Sequence, residues 1–280
     1  MRRRSIPAAV VPAEAPSLVV AKELPPPWVM RPLVIVPTYN ERDNLPSLVQ
    51  QLLALPKTRV LIVDDGSPDG TGVVADDLAM QSNGRILVLH RTGKRGLGRA
   101  YIDGIQAALQ TDADVICQMD ADLSHRPADL VAMLEAAQQS DVVIGSRYIP
   151  GGRVVNWPLR RRILSAGANH YIRMICSLGV RDCTSGFRCW RREALARLPL
   201  ARIDAEGYAF LVQLLWEAVQ AGYAICEVPI TFVEREFGAS KLRVRVLAES
   251  AVLPWRLVTS GLFIPAGNGG ATRNAAPLVR

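Results

Sequence analysis

The sequence predicts an α/β protein: a mostly parallel sheet with helices on both faces, followed by amphipathic elements. Three observations carry this. Short apolar runs recur at Leu33–Pro37, Arg59–Val63, Arg85–Leu89, 114–119 and Asp141–Gly145. Near-continuous apolar runs are the mark of strands buried on both faces. Segments of helical length separate them, the alternation that builds a parallel sheet. The runs are followed by turns rich in acids, asparagine or glycine, which such a sheet collects on one edge.

Each element follows in order. Residues 1–30 are rich in Pro and Ala and end in Pro25-Pro-Pro-Trp28, which reads as a flexible tail. The first strand leads into the loop Thr38–Asn44, with Asp43 or Asn44 expected to cap a helix to about Leu55. The second strand ends in Asp64-Asp-Gly-Ser-Pro-Asp-Gly70, and a helix is expected over about 71–81. The third precedes Gly93-Lys-Arg-Gly-Leu-Gly98, with a helix then running to about Gln110. The fourth stops abruptly at Asp120-Ala-Asp122. Pro127 suits the first turn of the next helix. Residues 31–150 are thus expected to form one core.

Residues 151–262 are expected to complete the fold. The segment 158–178 has helical periodicity, with Leu164, Ala168, Tyr171, Ile175 and Leu178 on one face and Ser165, Asn169 and Arg173 on another. Arg160, Arg161 and Arg162 stand at its start, a pattern that fits a helix lying on a membrane surface and equally a helix packed on the core with a solvated arginine turn. A helix over about 205–221, one or two strands within 223–233 and a basic helix over about 240–258 follow. Residues 263–280 read as a disordered tail.

Composition narrows the function. Thirty-three basic against 26 acidic residues give a net charge of +7, which favours an anionic partner. Five irregularly spaced cysteines and three scattered histidines suggest reduced thiols and no zinc cluster. Prolines and a carboxylate interrupt the apolar stretch after Met1-Arg-Arg-Arg, so it does not read as a signal peptide. The run around 251–267 is short of a membrane span. If the chain meets a membrane it is expected to lie on it rather than cross it, and the expected location is cytoplasmic, peripheral on the inner face.

The chemistry gathers at the strand ends. Asp120 and Asp122 fall on one side of the chain because strand side chains alternate with period two. Two hard oxygen ligands so close suit Mg²⁺ or Mn²⁺ serving a phosphate. Tyr39 offers a stacking ring and Glu41 an acceptor for base or ribose. Asp64 and Asp65 flank a tight turn, and capping is the plainer role for these acids. Lys94 or Arg95 could reach a phosphate, although the loop is neither a P-loop nor a full dinucleotide fingerprint.

In order, Pro37-x-Tyr39-Asn-Glu41, Val63-Asp-Asp65-Gly-Ser, Gly96-x-Gly98, Asp120-Ala-Asp122-Leu-Ser-His125-x-Pro127 and Gly145-Ser-Arg147-Tyr148 resemble the family-2 glycosyltransferases of GT-A (Rossmann-like) fold. Asp182-x-Thr-Ser-Gly-Phe-Arg188 and Glu234-Arg235-x-x-Gly-x-Ser-Lys241 look like the branch that makes dolichyl- or polyprenyl-phosphate mannose. The resemblance covers about residues 31–245, with residues 31–150 expected as the nucleotide-sugar-binding core. It implies that Pro37, Tyr39, Glu41, Val63 and Asp65 hold the guanosine of GDP-mannose. Asp120, Ala121 and Asp122 would meet the diphosphate and the Mg²⁺ or Mn²⁺. Ser124 stands where some relatives carry a metal-ligating Gln. Arg147, Arg235, Lys241 and Arg162 are the expected phosphate-binding cations, Arg147 serving donor and acceptor alike. Asp122, Asp120 and Arg147 are the expected catalytic residues, and the reaction is expected to invert the sugar.

The implied partners are GDP-mannose, a polyprenyl phosphate and the membrane surface, with a separate membrane-anchor protein as a further option. Nucleic acid is not expected: acids at the strand ends would repel a polyanion. Three other readings compete. One is a different donor, such as UDP-glucose, on the same fold. Another is a non-enzymatic basic module that binds acidic lipid or nucleic acid. The third, a sugar nucleotidyltransferase, would lead with a basic glycine-rich loop after the first strand, where this chain has Tyr-Asn-Glu.

Overall fold

The computed structural model describes residues 30–93, 96–205, 207–234 and 252–259, apart from the side chain of Tyr208. Seven strands form the main sheet: β1 (Pro32–Thr38), β2 (Arg59–Asp64), β3 (Ile86–His90), β4 (Val115–Gln118), β5 (Val142–Ser146), β7 (Arg188–Arg191) and β8 (Ile225–Pro229). Their spatial order is β3-β2-β1-β4-β7-β5-β8. All neighbouring pairs run parallel except those of β7, which is antiparallel to both β4 and β5. The short strands β6 (Arg153–Val155) and β9 (Thr231–Val233) pair separately.

The alternation of the apolar runs places their side chains on the two faces. Leu33, Ile35, Leu61, Val63 and Ile116 pack on one side with α3 (Leu97–Ala108) and α7 (Gly207–Gln220). Val34, Val36, Val60, Ile62 and Val115 pack on the other with α1 (Leu45–Leu53), α2 (Thr71–Met80) and α4 (Leu130–Ala136). Burial on both faces is why these strands read as unbroken apolar runs. The helix expected from Pro127 opens as a single 3-10 turn, Pro127–Asp129, before α4.

Two glycines of α3 allow the helix to approach closely. A Cβ at Gly104 would lie 2.7 Å from the Ile35 side chain and 3.1 Å from that of Val63. One at Gly98 would lie 2.7 Å from the Ala205 carbonyl oxygen. Gly104→Ala is therefore expected to cost about 1–3 kcal/mol by overpacking, read as a lower urea midpoint with an unchanged slope.

One expectation is corrected, and two elements are new. Asn44 precedes α1 but makes no side-chain cap; its amide donates to Glu41 Oε2 at 2.9 Å. The sheet contains an antiparallel central strand, β7, followed by the short helix α6 (Arg192–Arg197); neither was anticipated. Arg188-Cys-Trp-Arg191 is bounded by arginines and too short to show a period.

The amphipathic segment after residue 158 forms α5 (Leu159–Cys176). Its buried residues are Asn169, Ile172 and Cys176. On the other side Leu159, Ile163 and Met174 are 69%, 64% and 68% exposed, and Leu164 and Tyr171 are exposed as well. The polar stripe containing Asn169 faces the protein, and most of the expected apolar face looks outward. Periodicity reveals two faces but not which one the tertiary contacts select.

The helix over 252–259, α8, adds exposed Val252 and Trp255 while burying Leu253 and Leu257 in the core. Trp255 Nε1 donates to the Tyr171 hydroxyl at 3.0 Å, joining α8 to α5. Among the described residues no helix is long and apolar enough to cross a membrane. Most of the expected basic helix at 240–258 and both tails lie outside the described residues.

Candidate active site

The sheet order reverses direction at β1: β2 and β3 lie to one side, β4 to the other. Crevices outside the C-terminal strand ends form at such switch points. Four parallel strands deliver their polar turns there: Tyr39 and Glu41 after β1, Asp65 after β2, Asp120 and Asp122 after β4, and Arg147 after β5. β7 runs the opposite way, so its N-terminal end lies on the same edge and brings in residues 182–187.

Asp64 and Asp65 have different surroundings. Asp64 accepts from the Ser67 amide and hydroxyl at 3.1 and 2.6 Å and from the Thr38 hydroxyl at 3.1 Å, which shapes the turn. Asp65 is buried and ion-paired with Arg91 through Oδ1, while its Oδ2 accepts from the Gly96 amide at 3.1 Å. Arg91 also donates to Asp103 at 2.8 Å. The glycine loop therefore meets Asp65 through its backbone. Lys94 lies outside the described residues. Arg91 escaped the sequence reading because an arginine following an apolar strand usually looks like a solvated end.

The carboxylate pair rests on buried supports. The Tyr101 hydroxyl donates to Asp120 Oδ1 at 3.2 Å, and the ring stacks on Phe210 with centroids 5.8 Å apart. Burial, then the nearby Asp120 charge, pushes the Tyr101 hydroxyl well above its ordinary pKa, so it stays a donor. The Asp120 amide donates to His125 Nδ1 at 3.4 Å. Burial lowers the His125 pKa, and the ring packs against Phe187 and Phe232. A neutral imidazole can accept at Nδ1, and an imidazolium cannot.

Asp122 Oδ1 accepts from the Ser124 amide at 3.1 Å, closing a turn in which Leu123 has φ +59°. Among the described residues the buried Ser124 hydroxyl has no hydrogen-bond partner, an arrangement that usually has a cause. Among the described residues no group of three His, Cys, Asp or Glu side chains converges as a metal site.

Arg147 lies deeper than its motif suggested. Its side chain is 7% exposed. Nε and Nη2 donate to the two Asp182 oxygens at 2.8 and 2.7 Å, and Nη2 also donates to Thr184 Oγ1 at 2.9 Å. The guanidinium lies 5.3, 5.4 and 5.7 Å from the rings of Tyr148, Phe232 and Trp157. Burial would raise the Asp182 pKa, but the Arg147 charge and hydrogen bonds override it and hold the carboxyl below its usual range.

Arg188, fully buried, donates to the carbonyls of Cys183, Ser185 and Leu211. Burial lowers its pKa to about 10. It pins the 183–185 turn to α7. The roles of Asp182, Thr184 and Arg188 were missed; the signal was their motif, Asp182-x-Thr-Ser-Gly-Phe-Arg188. Arg162 is exposed on α5, whereas Arg235 and Lys241 lie outside the described residues.

The sheet order and the acidic edge together define an α/β protein of the GT-A class. The chain belongs to glycosyl transferase family 2, whose model matches residues 33–198; it is a glycosyltransferase. It is 50% identical over 214 residues to a polyprenol monophosphomannose synthase of Mycolicibacterium smegmatis, covering 76% of this chain and 81% of the relative. It is 46% identical over 224 residues to an undecaprenyl-phosphate mannosyltransferase of Micrococcus luteus, covering 80% and 92%.

Among solved structures, the fold is shared with glucosyl-3-phosphoglycerate synthase from Mycobacterium tuberculosis in complex with Mn²⁺ and UDP. The TM-score is 0.57 at 19% identity, over 87% of this chain and 84% of that one. It is also shared with a Pyrobaculum calidifontis mannosyltransferase in complex with GDP-Man and Mn²⁺, at a TM-score of 0.50 and 18% identity, over 85% and 75%.

Proposed function

We propose that the protein transfers mannose from GDP-mannose to a polyprenyl phosphate at a membrane surface, with inversion to the β-linked product. The observation that carries this is the joining of two surfaces: an acidic strand-end crevice and, reached through Arg147 and the 182–185 turn, a helix whose apolar side faces outward. The names of the two relatives at 50% and 46% identity support the same acceptor and sugar.

In this reading Tyr39 stacks on the base, Glu41 and Asp65 accept from base or ribose, and Pro37 and Val63 line that end. Asp120, Ala121 and Asp122 lie beside the diphosphate, with Lys94 as a further donor-phosphate contact. The donor set fits a divalent cation: two hard carboxylates, with an unpaired buried hydroxyl at Ser124 and room in the ligand count for diphosphate oxygens. Mg²⁺ or Mn²⁺ bound there would neutralise charge on the departing diphosphate.

The acceptor phosphate is already an anion at neutral pH and needs no general base. One of its oxygens attacks the anomeric carbon as the bond to the diphosphate breaks on the opposite side, which inverts the centre. Two anions must approach one another, so cations are required. Arg147 orients the acceptor phosphate with a guanidinium whose charge Asp182 already shares. Arg162, Arg235 and Lys241 add charge from α5 and from the segment after Glu234. Arg161 donates to both oxygens of Glu234 at 2.6 and 2.5 Å, tying the start of that segment to α5.

α5 contains no acid, exposes Arg160 and Arg162, and turns Leu159, Ile163, Leu164 and Met174 outward. That combination fits the surface of an anionic bilayer and supports a peripheral position, on the cytoplasmic face in this reading. Ile163→Glu is expected to weaken sedimentation with anionic vesicles about tenfold or more, from lost apolar burial and an added like charge, while melting is unchanged.

Incubation with labelled GDP-mannose, polyprenyl phosphate and Mg²⁺ or Mn²⁺ should give a labelled lipid on solvent extraction. Turnover with UDP-glucose and none with GDP-mannose would overturn the choice of donor.

A further inference from the structure

α5 turns a polar residue, Asn169, into the protein, and each polar group of that side chain is used. Asn169 Oδ1 accepts from the Cys183 amide at 2.8 Å. Its Nδ2 donates to the Ser165 carbonyl at 3.0 Å and to Thr184 Oγ1 at 3.1 Å. An amide has one oxygen and two N–H donors, and these partners fix which end is which. Thr184 Oγ1 is saturated in the same way. It accepts from Asn169 and, at 2.9 Å, from Arg147, and it lies 3.5 Å from Asp182 Oδ1, to which it donates. Asp182 in turn holds Arg147 with two hydrogen bonds. A continuous path of directional bonds therefore runs from the inner face of α5 to the guanidinium at the strand edge.

A buried hydrogen-bond hub of this kind fixes geometry because each partner lost leaves another unsatisfied. The outer face of the same helix carries exposed Leu159, Ile163 and Met174. We infer that Asn169 and Thr184 are positioning residues: they set the orientation of Arg147 from α5 and so couple the seating of that helix to capture of the acceptor phosphate. The inference rests on the proposed role of Arg147 at the acceptor. Neither residue touches substrate; both act through Arg147.

Steady-state kinetics with polyprenyl phosphate in vesicles separates this from a structural role. Thr184→Val and Asn169→Ala should each raise the KM for polyprenyl phosphate about tenfold, the scale of one hydrogen bond to a charged group, with the KM for GDP-mannose unchanged. Thr184→Ser should restore the wild-type value. The double variant should be no worse than Thr184→Val alone, because both act on one path. An unchanged acceptor KM in Thr184→Val, or equal rises in both KM values, overturns the inference.

Nitrogen-15 NMR of the Arg147 guanidinium needs no turnover. Its resonances should shift in Thr184→Val and return in Thr184→Ser; identical spectra in all three proteins overturn the inference. Wild-type protein that transfers nothing to polyprenyl phosphate would sink the proposed reaction, and the NMR comparison would still judge the positioning path.

Discussion

Asp122→Ala is expected to reduce mannosyl transfer by at least about a hundredfold, the scale seen when one group that stabilises developing charge is removed. The carboxylate has two separable tasks. One oxygen accepts from the Ser124 amide at 3.1 Å and closes the turn after β4. The other task, in the proposed reaction, is to hold the divalent ion beside the diphosphate. Asp122→Asn retains an oxygen acceptor for the turn but removes the negative charge. It should therefore melt close to wild type and still lose transfer and Mn²⁺ binding, followed by titration in the presence of GDP. The turn bond contributes about 1 kcal/mol, so alanine should shift the melting temperature by only a few degrees. Wild-type turnover in Asp122→Asn would remove the metal from the mechanism.

Asp182→Asn is expected to have the largest effect on stability. Arg147 is buried, and Asp182 supplies its counter-charge through two side-chain hydrogen bonds and also accepts from the Arg147 amide at 3.0 Å. Removing one charge of a buried pair costs about 3–5 kcal/mol, because the remaining charge is stranded. Chemical denaturation should show the loss directly.

The pH dependence has a definite sign. The folded pKa of Asp182 lies below its ordinary value of 3.8. Its contribution is fully present above that ordinary, unfolded value and is lost as pH falls through the lower folded one. Asp182→Asn should therefore lower stability at neutral pH and flatten the acid limb of the stability profile below about pH 4. A parallel downward displacement, with the acid limb unchanged, would show that another group carries it.

Much of the fold is legible in the chain. Leu33–Pro37, Arg59–Val63 and Asp141–Gly145 became strands within a residue or two of their expected limits, because burial on both faces leaves a local apolar signature. The acidic turns after β1, β2 and β4 were placed on one edge by the same logic. Asp120-Ala-Asp122 stood out because an apolar strand stopped at two carboxylates.

Other features have no local signature. β7 inserts between β4 and β5 through pairings with residues some 45 to 75 positions earlier, and four residues cannot show a period. The Asp65–Arg91 pair spans 26 residues and Arg147–Asp182 spans 35, so partner choice depends on where the strands end. The motif around Arg147 implied a phosphate-binding cation, and the buried Asp182 beside it is a partner that only the tertiary structure supplies.

The sequence by itself determined an α/β sheet, an acidic edge and an amphipathic helix after residue 158, because these follow from residue-level periodicity and turn chemistry. The tertiary structure decided which side of that helix is inside. Asn169 is buried because its amide satisfies Cys183, Ser165 and Thr184 together. Ile172 and Cys176 are buried on the same side, while Leu159, Ile163 and Met174 face outward.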